Sequence, residues 1–313
     1  RANGDGILLL SANNTVGGTT PDTYNVISGN TYAGIRIVAP NNRVLGNLIG
    51  VDADGIRELG NGVGIVVSGA SNNLIGAENH PFGNVISFNH TFGLRVEGNA
   101  TGNQLQHNLM FGNMGLGIEL GNDGVTPNDP LDSDTGPNNL QNFPVLTTAE
   151  KNDSTLAVRG ALNSTPNTAF HMEFFSSRAC DPSGFGEGNE FLGTAEITTD
   201  QQGGANFTVR FAVPEEGPFV TAIATDPAGN TSEFAHCVET TQAQPGILYL
   251  STSSSGKVSG LSFADEDILA YNLTTGDWSL FFDGSDVGLA KTDLDAFMLT
   301  NDGNLLLSLG AMT

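Results

Sequence analysis

Short apolar runs, each opened by a glycine, recur along the first part of the chain. The steps between successive openings are 28, 30, 29 and 24 residues. Repeats of roughly 20 to 50 residues are typical of arrays in which each unit buries its apolar face against its neighbours. The pattern therefore predicts a solenoid. Its openings are Gly6-Ile7, Gly34-Ile35, Gly64-Ile65, Gly93-Leu94 and Gly117-Ile118.

Within each repeat the apolar runs are short and are separated by asparagine and glycine. The run Ile35-Arg36-Ile37-Val38 is rich in β-branched residues, which favour strands, and no stretch is long or periodic enough for a helix. A second motif, Asn25 to Asn30, returns as Asn84 to Asn89 and as Asn108 to Asn113. We expect these asparagines to lie in turns, where their amides satisfy backbone groups of adjacent coils. The pattern predicts a parallel β-helix.

Through these openings and turns, residues 1 to about 145 resemble the right-handed parallel β-helix proteins of the pectate-lyase-like superfamily. The resemblance implies the fold and not the activity, because this architecture hosts lyases, hydrolases, epimerases, phage tailspikes and adhesins. The chain enters a repeat almost directly after Arg1, so we expect a first coil without a cap. Head-to-tail association with another copy would cover that coil.

The hydrophobic pattern changes to strict alternation after about residue 150. Phe170, Met172 and Phe174 alternate with His171 and Glu173. This alternation predicts strands that bury one face and expose the other to water.

Several such strands, separated by turns of Gly, Pro, Asp and Asn, predict an immunoglobulin-like β-sandwich. The segment Ala224 to Phe234 resembles the last-strand region of bacterial immunoglobulin-like domains, which implies a spacer or a binding module. Cys180 and Cys237 both fall here. We expect a disulfide between them in an oxidising compartment, with two free buried thiols as the alternative.

The last part of the chain contains two related hairpins. The segment Asp265 to Tyr271 is echoed by Asp293 to Leu299, and return strands are expected at Trp278 to Phe282 and Leu305 to Leu309. The second hairpin would turn at Asn301-Asp302-Gly303. The pair resembles blades of a β-propeller, although a complete ring needs at least four blades.

The predicted fold class is therefore all-β. We expect a parallel β-helix over residues 1–145, an immunoglobulin-like sandwich over 150–240 and a β-hairpin region over 246–313.

Charge and hydropathy narrow the class of partner. The chain has 34 acidic and 11 basic side chains, for a formal net charge of −23. Such a surface repels nucleic acid and anionic membranes. No apolar run approaches the roughly 18 residues that a membrane helix needs. We expect a secreted or cell-surface protein.

Side chains that point outward from the stacked strands form the candidate ligand surface. Stacking in register places Arg36, Arg95 and Glu119 in one outward column, with Glu97 in the next. Polysaccharide lyases of this architecture need a lysine or arginine base near acidic groups or Ca²⁺, and hydrolases need carboxylates close enough to act as acid and base. We expect Arg95 to form an ion pair with these glutamates, so this face is predicted to bind rather than to catalyse. The alternative is a polysaccharide lyase or epimerase that acts on anionic glycans.

Clusters of aspartate are candidate Ca²⁺ sites, because this ion prefers several carboxylate and carbonyl oxygens. A solvated loop and ordinary turn chemistry are the alternatives. No other cofactor is predicted. The candidate ligands are Asp129, Asp132 and Asp134 after the last repeat, and Asp265, Asp267, Asp293 and Asp295 in the hairpin region.

The histidines give no metal-binding pattern. His90 and His107 fall in turns of the repeat region and are expected at the surface. Taken together, the sequence predicts a structural or adhesive protein without catalysis, whose partner is another copy of itself or an extracellular glycan.

Overall fold

The computed structural model describes residues 3–18, 20–77, 83–215, 217–243, 246–290, 292–300 and 304–310. The chain divides into two compact units, Arg1–Gln242 and Ala243–Thr313. Both are built from strands, which confirms the predicted all-β class. No helix among the described residues is long and apolar enough to cross a membrane.

Stacked parallel strands form the first part of the first unit. They lie in three sheets, in the orders β1-β4-β7-β10-β13, β11-β8-β5-β2 and β12-β9-β6-β3. This is the arrangement of a β-helix, in which each coil contributes one strand to each sheet. The strands are β1 (Asp5–Leu9), β2 (Thr15–Gly17), β3 (Val26–Ile27), β4 (Ala33–Ile37), β5 (Arg43–Leu45), β6 (Leu48–Ile49), β7 (Val63–Ser68), β8 (Leu74–Gly76), β9 (Val85–Ser87), β10 (Leu94–Glu97), β11 (Gln104–Gln106), β12 (Leu109–Phe111) and β13 (Ile118–Leu120).

The glycine-led openings are the strands of the first sheet. Ile35 is in register with Ile7 and Ile65, and Leu94 is in register with Ile65 and Ile118. Ile35, Ile65 and Leu94 are fully buried in the interior of the coils. Each coil thus covers the apolar face of the next, as the repeat predicts.

Asparagine ladders run along the corners of the coils. In the interior of a ladder, the backbone N–H of one asparagine donates to the Oδ1 of its equivalent in the next coil, which confirms the predicted role of the turn asparagines. The ladders contain Asn14, Asn42, Asn73, Asn103 and Asn138; Asn25, Asn47, Asn84 and Asn108; and Asn30, Asn61, Asn89 and Asn113.

The second part of the first unit, here called the sandwich segment, is a sheet in the order β17-β16-β19-β20-β14-β15-β18. Phe170, Met172 and Phe174 are fully buried in its core, as the alternation predicts. Its strands are β14 (Val145–Lys151), β15 (Thr155–Asn163), β16 (Ala169–Ser177), β17 (Glu190–Thr198), β18 (Gly204–Ala212), β19 (Phe219–Thr225) and β20 (Val238–Gln242).

The sandwich segment closes the end of the coils. Phe175, Ile223 and Phe234 belong to the same buried cluster as Ile118 and Leu120 of the last coil. The two parts therefore share one apolar core, and the segment is a cap on the β-helix.

The second unit consists of short antiparallel sheets. Strand β24 pairs with β21 and β25, β22 pairs with β23, and β26 pairs with β27. The two predicted hairpins are therefore present, while the predicted turn at Asn301-Asp302-Gly303 lies outside the described residues. The strands are β21 (Ile247–Ser251), β22 (Gly256–Val258), β23 (Leu261–Phe263), β24 (Ile268–Asn272), β25 (Trp278–Phe282), β26 (Leu294–Leu299) and β27 (Leu305–Leu309).

Candidate functional site

The outer face of the first sheet carries the predicted ligand column. Arg36 is in register with Leu8 and Val66, and Arg95 is in register with Val66 and Glu119. The strand register therefore brings these residues into one column, as the repeat predicts.

Tyr32 lies between the two arginines of this column. The guanidinium carbon of Arg36 is 4.2 Å from the centroid of the Tyr32 ring, and Nη2 of Arg95 donates to the Tyr32 hydroxyl at 3.0 Å. Tyr32 is 36% exposed. The result is an accessible aromatic side chain held between two cations, which sequence reasoning did not include among the ligand residues.

Each arginine also has an acidic partner. Nε of Arg36 is 3.5 Å from Oδ2 of Asp5, and Nη2 of Arg95 is 3.0 Å from Oε2 of Glu97. Nη1 of Arg95 donates to Oδ1 of Asn122 at 2.9 Å. The predicted ion pair of Arg95 is therefore present, and its acidic partner lies two positions along the same strand.

Glu119 is fully buried although it belongs to the outward column. Its Oε1 accepts hydrogen bonds from the backbone N–H groups of Asp123 and Gly124, because the chain after β13 folds over it. Burial raises the pKa of its carboxyl group. The accessible aromatic and charged groups of the face are therefore Tyr32, Arg36 and Glu97, beside the exposed apolar side chains of Leu8, Leu10 and Val38.

Asp129, Asp132 and Asp134 come together in the loop after the last coil. One carboxylate oxygen of each lies within 4.8 Å of the others. Asp129 accepts from the Ser133 hydroxyl at 2.6 Å, and Asp132 accepts from the Ser164 hydroxyl at 2.7 Å. Burial raises the pKa of Asp132. Ca²⁺ binding here stays a prediction, which thermal unfolding with and without a chelator would test.

The aspartates of the second unit do not form such a group among the described residues. Asp267 is buried, and its carboxylate accepts from the backbone N–H of Ala264 at 2.7 Å and of Gly284 at 3.1 Å. Its contacts match the turn chemistry that was the alternative to ion binding. For Asp265, Asp293 and Asp295, Ca²⁺ binding stays a prediction.

A set of glutamates that sequence reasoning missed lies where the sandwich segment meets the last coil, here called the junction. Asn113 ends its ladder, and its Nδ2 donates to Oε1 of Glu187 at 2.6 Å. The backbone N–H of Asn113 also points at this carboxylate, at 3.2 Å from Oε2. Glu187 thus takes the place that the next asparagine of the ladder would occupy.

Two further glutamates repeat this contact. The backbone N–H of Leu120 donates to Oε1 of Glu233 at 2.9 Å, and that of Thr126 donates to its Oε2 at 2.9 Å. The backbone N–H of His107 donates to Oε2 of Glu173 at 2.8 Å. The carboxyl groups of the cap therefore accept hydrogen bonds from backbone N–H groups that would otherwise need acceptors in a further coil.

Glu173 is the centre of a chain of ionisable side chains. Its Oε1 lies 3.0 Å from Nδ1 of His107 and 3.6 Å from Nε2 of His171, and Nδ1 of His171 lies 2.6 Å from Oε1 of Glu196. The predictions of a wet face at Glu173 and a surface position for His107 are therefore wrong. Both side chains are buried, because the cap presses this face of β16 against the last coil.

Burial and hydrogen bonding set the pKa values at the junction. Burial raises the pKa of Glu187 and of Glu233 to about 8. Hydrogen bonding to Glu173 raises the pKa of His171 to about 9, against the effect of burial. Burial acts to raise the pKa of Glu173, but the hydrogen bonds from both histidines outweigh it and hold this pKa below its usual value.

One signal in the sequence points to the junction. Phe175 lies on the same side of β16 as His171 and Glu173, so an aromatic residue breaks the polar face. It is fully buried against the last coil. The glutamates have no local signature, since Glu187 and Glu233 reach partners 74 and 113 residues away.

Cys180 and Cys237 form the predicted disulfide, with their Cα atoms 6.1 Å apart. The bond joins the loop that carries Glu187 to the loop that carries Glu233. The sequence matches no protein-family model and no curated protein.

Proposed function

We propose that this protein is a secreted or cell-surface structural and adhesive β-helix, which contacts extracellular glycans through the accessible face around Tyr32 and does not catalyse their cleavage. The disulfide between Cys180 and Cys237 supports an oxidising compartment. The net charge of −23 favours neutral or cationic surfaces over nucleic acid.

The placement of Tyr32 carries the proposal. Binding sites combine an apolar or aromatic surface with a few fixed polar groups, and this face offers one ring with a guanidinium against it. A sugar presents apolar C–H groups and hydroxyls on the same ring. Tyr32 supplies a surface for the former, while Arg36 and Glu97 supply hydrogen-bonding groups for the latter.

The pairing of the arginines favours binding over catalysis. A lyase base takes a proton from its substrate, and an arginine held beside a carboxylate keeps its own proton more firmly. Arg36 and Arg95 are each held beside a carboxylate. The ion pairs therefore fix the shape of the face.

The architecture supports a wider family proposal. The coils in three parallel sheets support placing residues 1–145 with the right-handed β-helix proteins of the pectate-lyase-like superfamily. The seven strands from β14 to β20 support an immunoglobulin-like origin for residues 150–240. The hairpins over 246–313 are proposed as relatives of propeller blades.

Binding to immobilised glycans tests the proposal. We expect Tyr32→Ala to lower retention on the glycans that the unmodified protein binds by about tenfold, which is the effect of losing about 1.4 kcal/mol. Tyr24→Ala is the matched control, because Tyr24 is an equally accessible tyrosine of the coils that touches neither arginine. Equal retention by both variants, or no retention of the unmodified protein on any glycan, would contradict the proposal.

A direct assay tests the absence of cleavage. Pectin, alginate and chondroitin are incubated with the protein, with and without Ca²⁺, and the absorbance of unsaturated products is followed. We expect no change in absorbance. A rise that Arg36→Ala or Arg95→Ala abolishes would establish the lyase alternative instead.

A further inference from the structure

The junction holds carboxyl groups where a stacked coil would place neutral amides. Glu187 and Glu233 are 6% and 2% exposed, and each accepts hydrogen bonds from backbone N–H groups of the last coil or of the chain that follows it. An asparagine at these positions would carry no charge at any pH. A glutamate there makes the contact depend on its protonation.

We propose that the junction is a proton-closed latch, which holds the sandwich segment on the last coil in mildly acidic solution and loosens as the solution becomes alkaline. The latch consists of Glu187 and Glu233, with the chain of His171 and Glu173 as its second element.

Burial and acidic neighbours favour the protonated form of the two glutamates and outweigh the N–H donors on their oxygens, which favour the ionised form. Glu233 faces Glu119 and Asp123 of the last coil, and Arg95, the cation that acts on Glu119, is already paired with Glu97. Ionised Glu233 would therefore be buried beside other acidic groups, which is costly without a partner of opposite charge.

Glu187 lies in a similar setting. It faces Asn113 and Gly112 of the last coil and Asp181 of its own loop, and Arg178 lines the same small cavity. Arg178 is exposed, so water screens its charge.

The direction of the pH effect follows from the pKa values. The pKa of both glutamates is about 8 in the folded protein, above the ordinary value of 4.5. A group that binds its proton more tightly when folded stabilises the fold fully below its unfolded pKa and loses this effect as the pH rises through the folded pKa. The contribution of Glu187 and Glu233 is therefore complete near pH 4.5 and lost above about pH 8.

The stabilising contribution of the histidine chain also decreases as the pH rises. The pKa of His171 is about 9 against an ordinary value of 6.5, so its contribution is complete below pH 6.5 and lost as the pH rises to about 9. The lowered pKa of Glu173 has the opposite sign, and its contribution is lost as the pH falls below the ordinary value of 4.5. The combined contribution of the latch is therefore greatest near pH 4.5 and decreases as the pH rises to about 9.

The disulfide couples the two glutamates of the latch. Glu187 and Cys180 share the loop between β16 and β17, while Glu233 and Cys237 share the segment between β19 and β20. Because the bond ties the two loops together, release of one glutamate is transmitted to the other.

Hydrogen exchange of the intact protein at pH 6 and pH 9, corrected for the intrinsic pH dependence of exchange, tests the proposal. We expect protection of the amides of Asn113 and Leu120 to fall by about tenfold or more. Protection of Ile65, in the middle of the coils, should stay constant. The variant E187Q/E233Q, which carries neutral amides at both positions, should show a smaller loss of protection, because only the histidine chain then titrates between these pH values. Glu239→Gln, on the exposed side of β20, should keep the full loss.

Two results would overturn the latch. One is a constant protection of Asn113 and Leu120 in the unmodified protein, a measurement that needs no variant to fold. The other is a folded E187Q/E233Q variant with the same loss of protection at pH 9 as the unmodified protein.

Discussion

Asn47 shows how one buried amide holds three segments of chain together. Its backbone N–H and Nδ2 donate to Oδ1 of Asn84, and Nδ2 also lies 3.1 Å from the carbonyl oxygens of Val16 and Leu45. Its own Oδ1 accepts from Asn25. A side chain of this size with both a donor and an acceptor is needed, because Asn47 and the Asn84 amide that it contacts are withdrawn from water.

We expect Asn47→Ala to lower the free energy of unfolding by about 3 kcal/mol, because it leaves buried backbone groups without partners. Asn25→Ala is the matched change at the exposed end of the same ladder, where water replaces the lost contacts, and it should cost under about 1 kcal/mol. Urea denaturation followed by circular dichroism measures both. Equal costs would show that the ladder does not stabilise the coils through its buried groups.

The sequence predicts part of this ladder and of the neighbouring ladder that contains Asn61, and it misses the rest for a physical reason. Asn25 and Asn84 begin recognisable motifs, but Asn47 and Asn61 do not stand at the same spacing. The chain between them makes an extra excursion, closed by a bridge between Val51 and Glu58. A loop inserted at a corner changes the spacing along the chain without disturbing the stack.

Close packing of one strand on the next explains the glycine that opens each repeat. A Cβ atom on Gly34 would lie 2.7 Å from the carbonyl oxygen of Gly64 in the following coil and 2.9 Å from Nδ2 of Asn61. Neither group can move without breaking the ladder or the sheet. The glycine-led openings were therefore readable from the sequence, since the steric need is the same in the first four coils, while at Gly117 the ring of Phe234 takes the place of a following coil.

Gly34→Ala is expected to destabilise the protein by about 2 kcal/mol, because the added methyl group forces the coils apart. Gly4→Ala is the control, since a Cβ atom there meets nothing within 4 Å. Thermal unfolding distinguishes the two. An unchanged unfolding temperature for Gly34→Ala would mean that the spacing between coils is more adaptable than the structure indicates.

The disulfide constrains a long segment of the cap. Cys180 and Cys237 are 57 residues apart, and closing a loop of this size stabilises the folded state by about 4 kcal/mol on the chain-entropy account. We expect the double variant C180S/C237S to unfold at a lower temperature by a corresponding amount. A reducing agent should lower the unfolding temperature of the unmodified protein and leave that of the variant unchanged.

The sequence did not predict that the sandwich segment packs against the last coil. The alternation of Phe170 and Met172 identifies β16 as a strand, but not which surface covers Glu173. That surface comes from His107, in a turn 66 residues earlier. Local periodicity carries no information about such a partner, whereas the repeat itself supplies the partner of every strand within the coils.

The excess of acidic groups affects the stability of the protein as a whole. With a net charge of −23, the folded chain concentrates like charges that the unfolded chain spreads out. Raising NaCl from about 10 mM to about 150 mM shortens the screening length from about 30 Å to about 8 Å, so we expect the unfolding temperature to rise. A temperature that falls or stays constant would indicate that the favourable ion pairs, such as Arg95 with Glu97, outweigh the repulsion.

The asparagine ladders also make the length of the β-helix an adjustable quantity. Each coil offers the same amides upward and downward, so a duplicated copy of residues 34–63 would find equivalent neighbours on both sides. Such a duplication adds one layer, about 4.8 Å, and leaves the first coil and the cap as they are. Related proteins that arose by such duplications would differ in the length of the β-helix by whole coils and would keep the same first coil and the same cap.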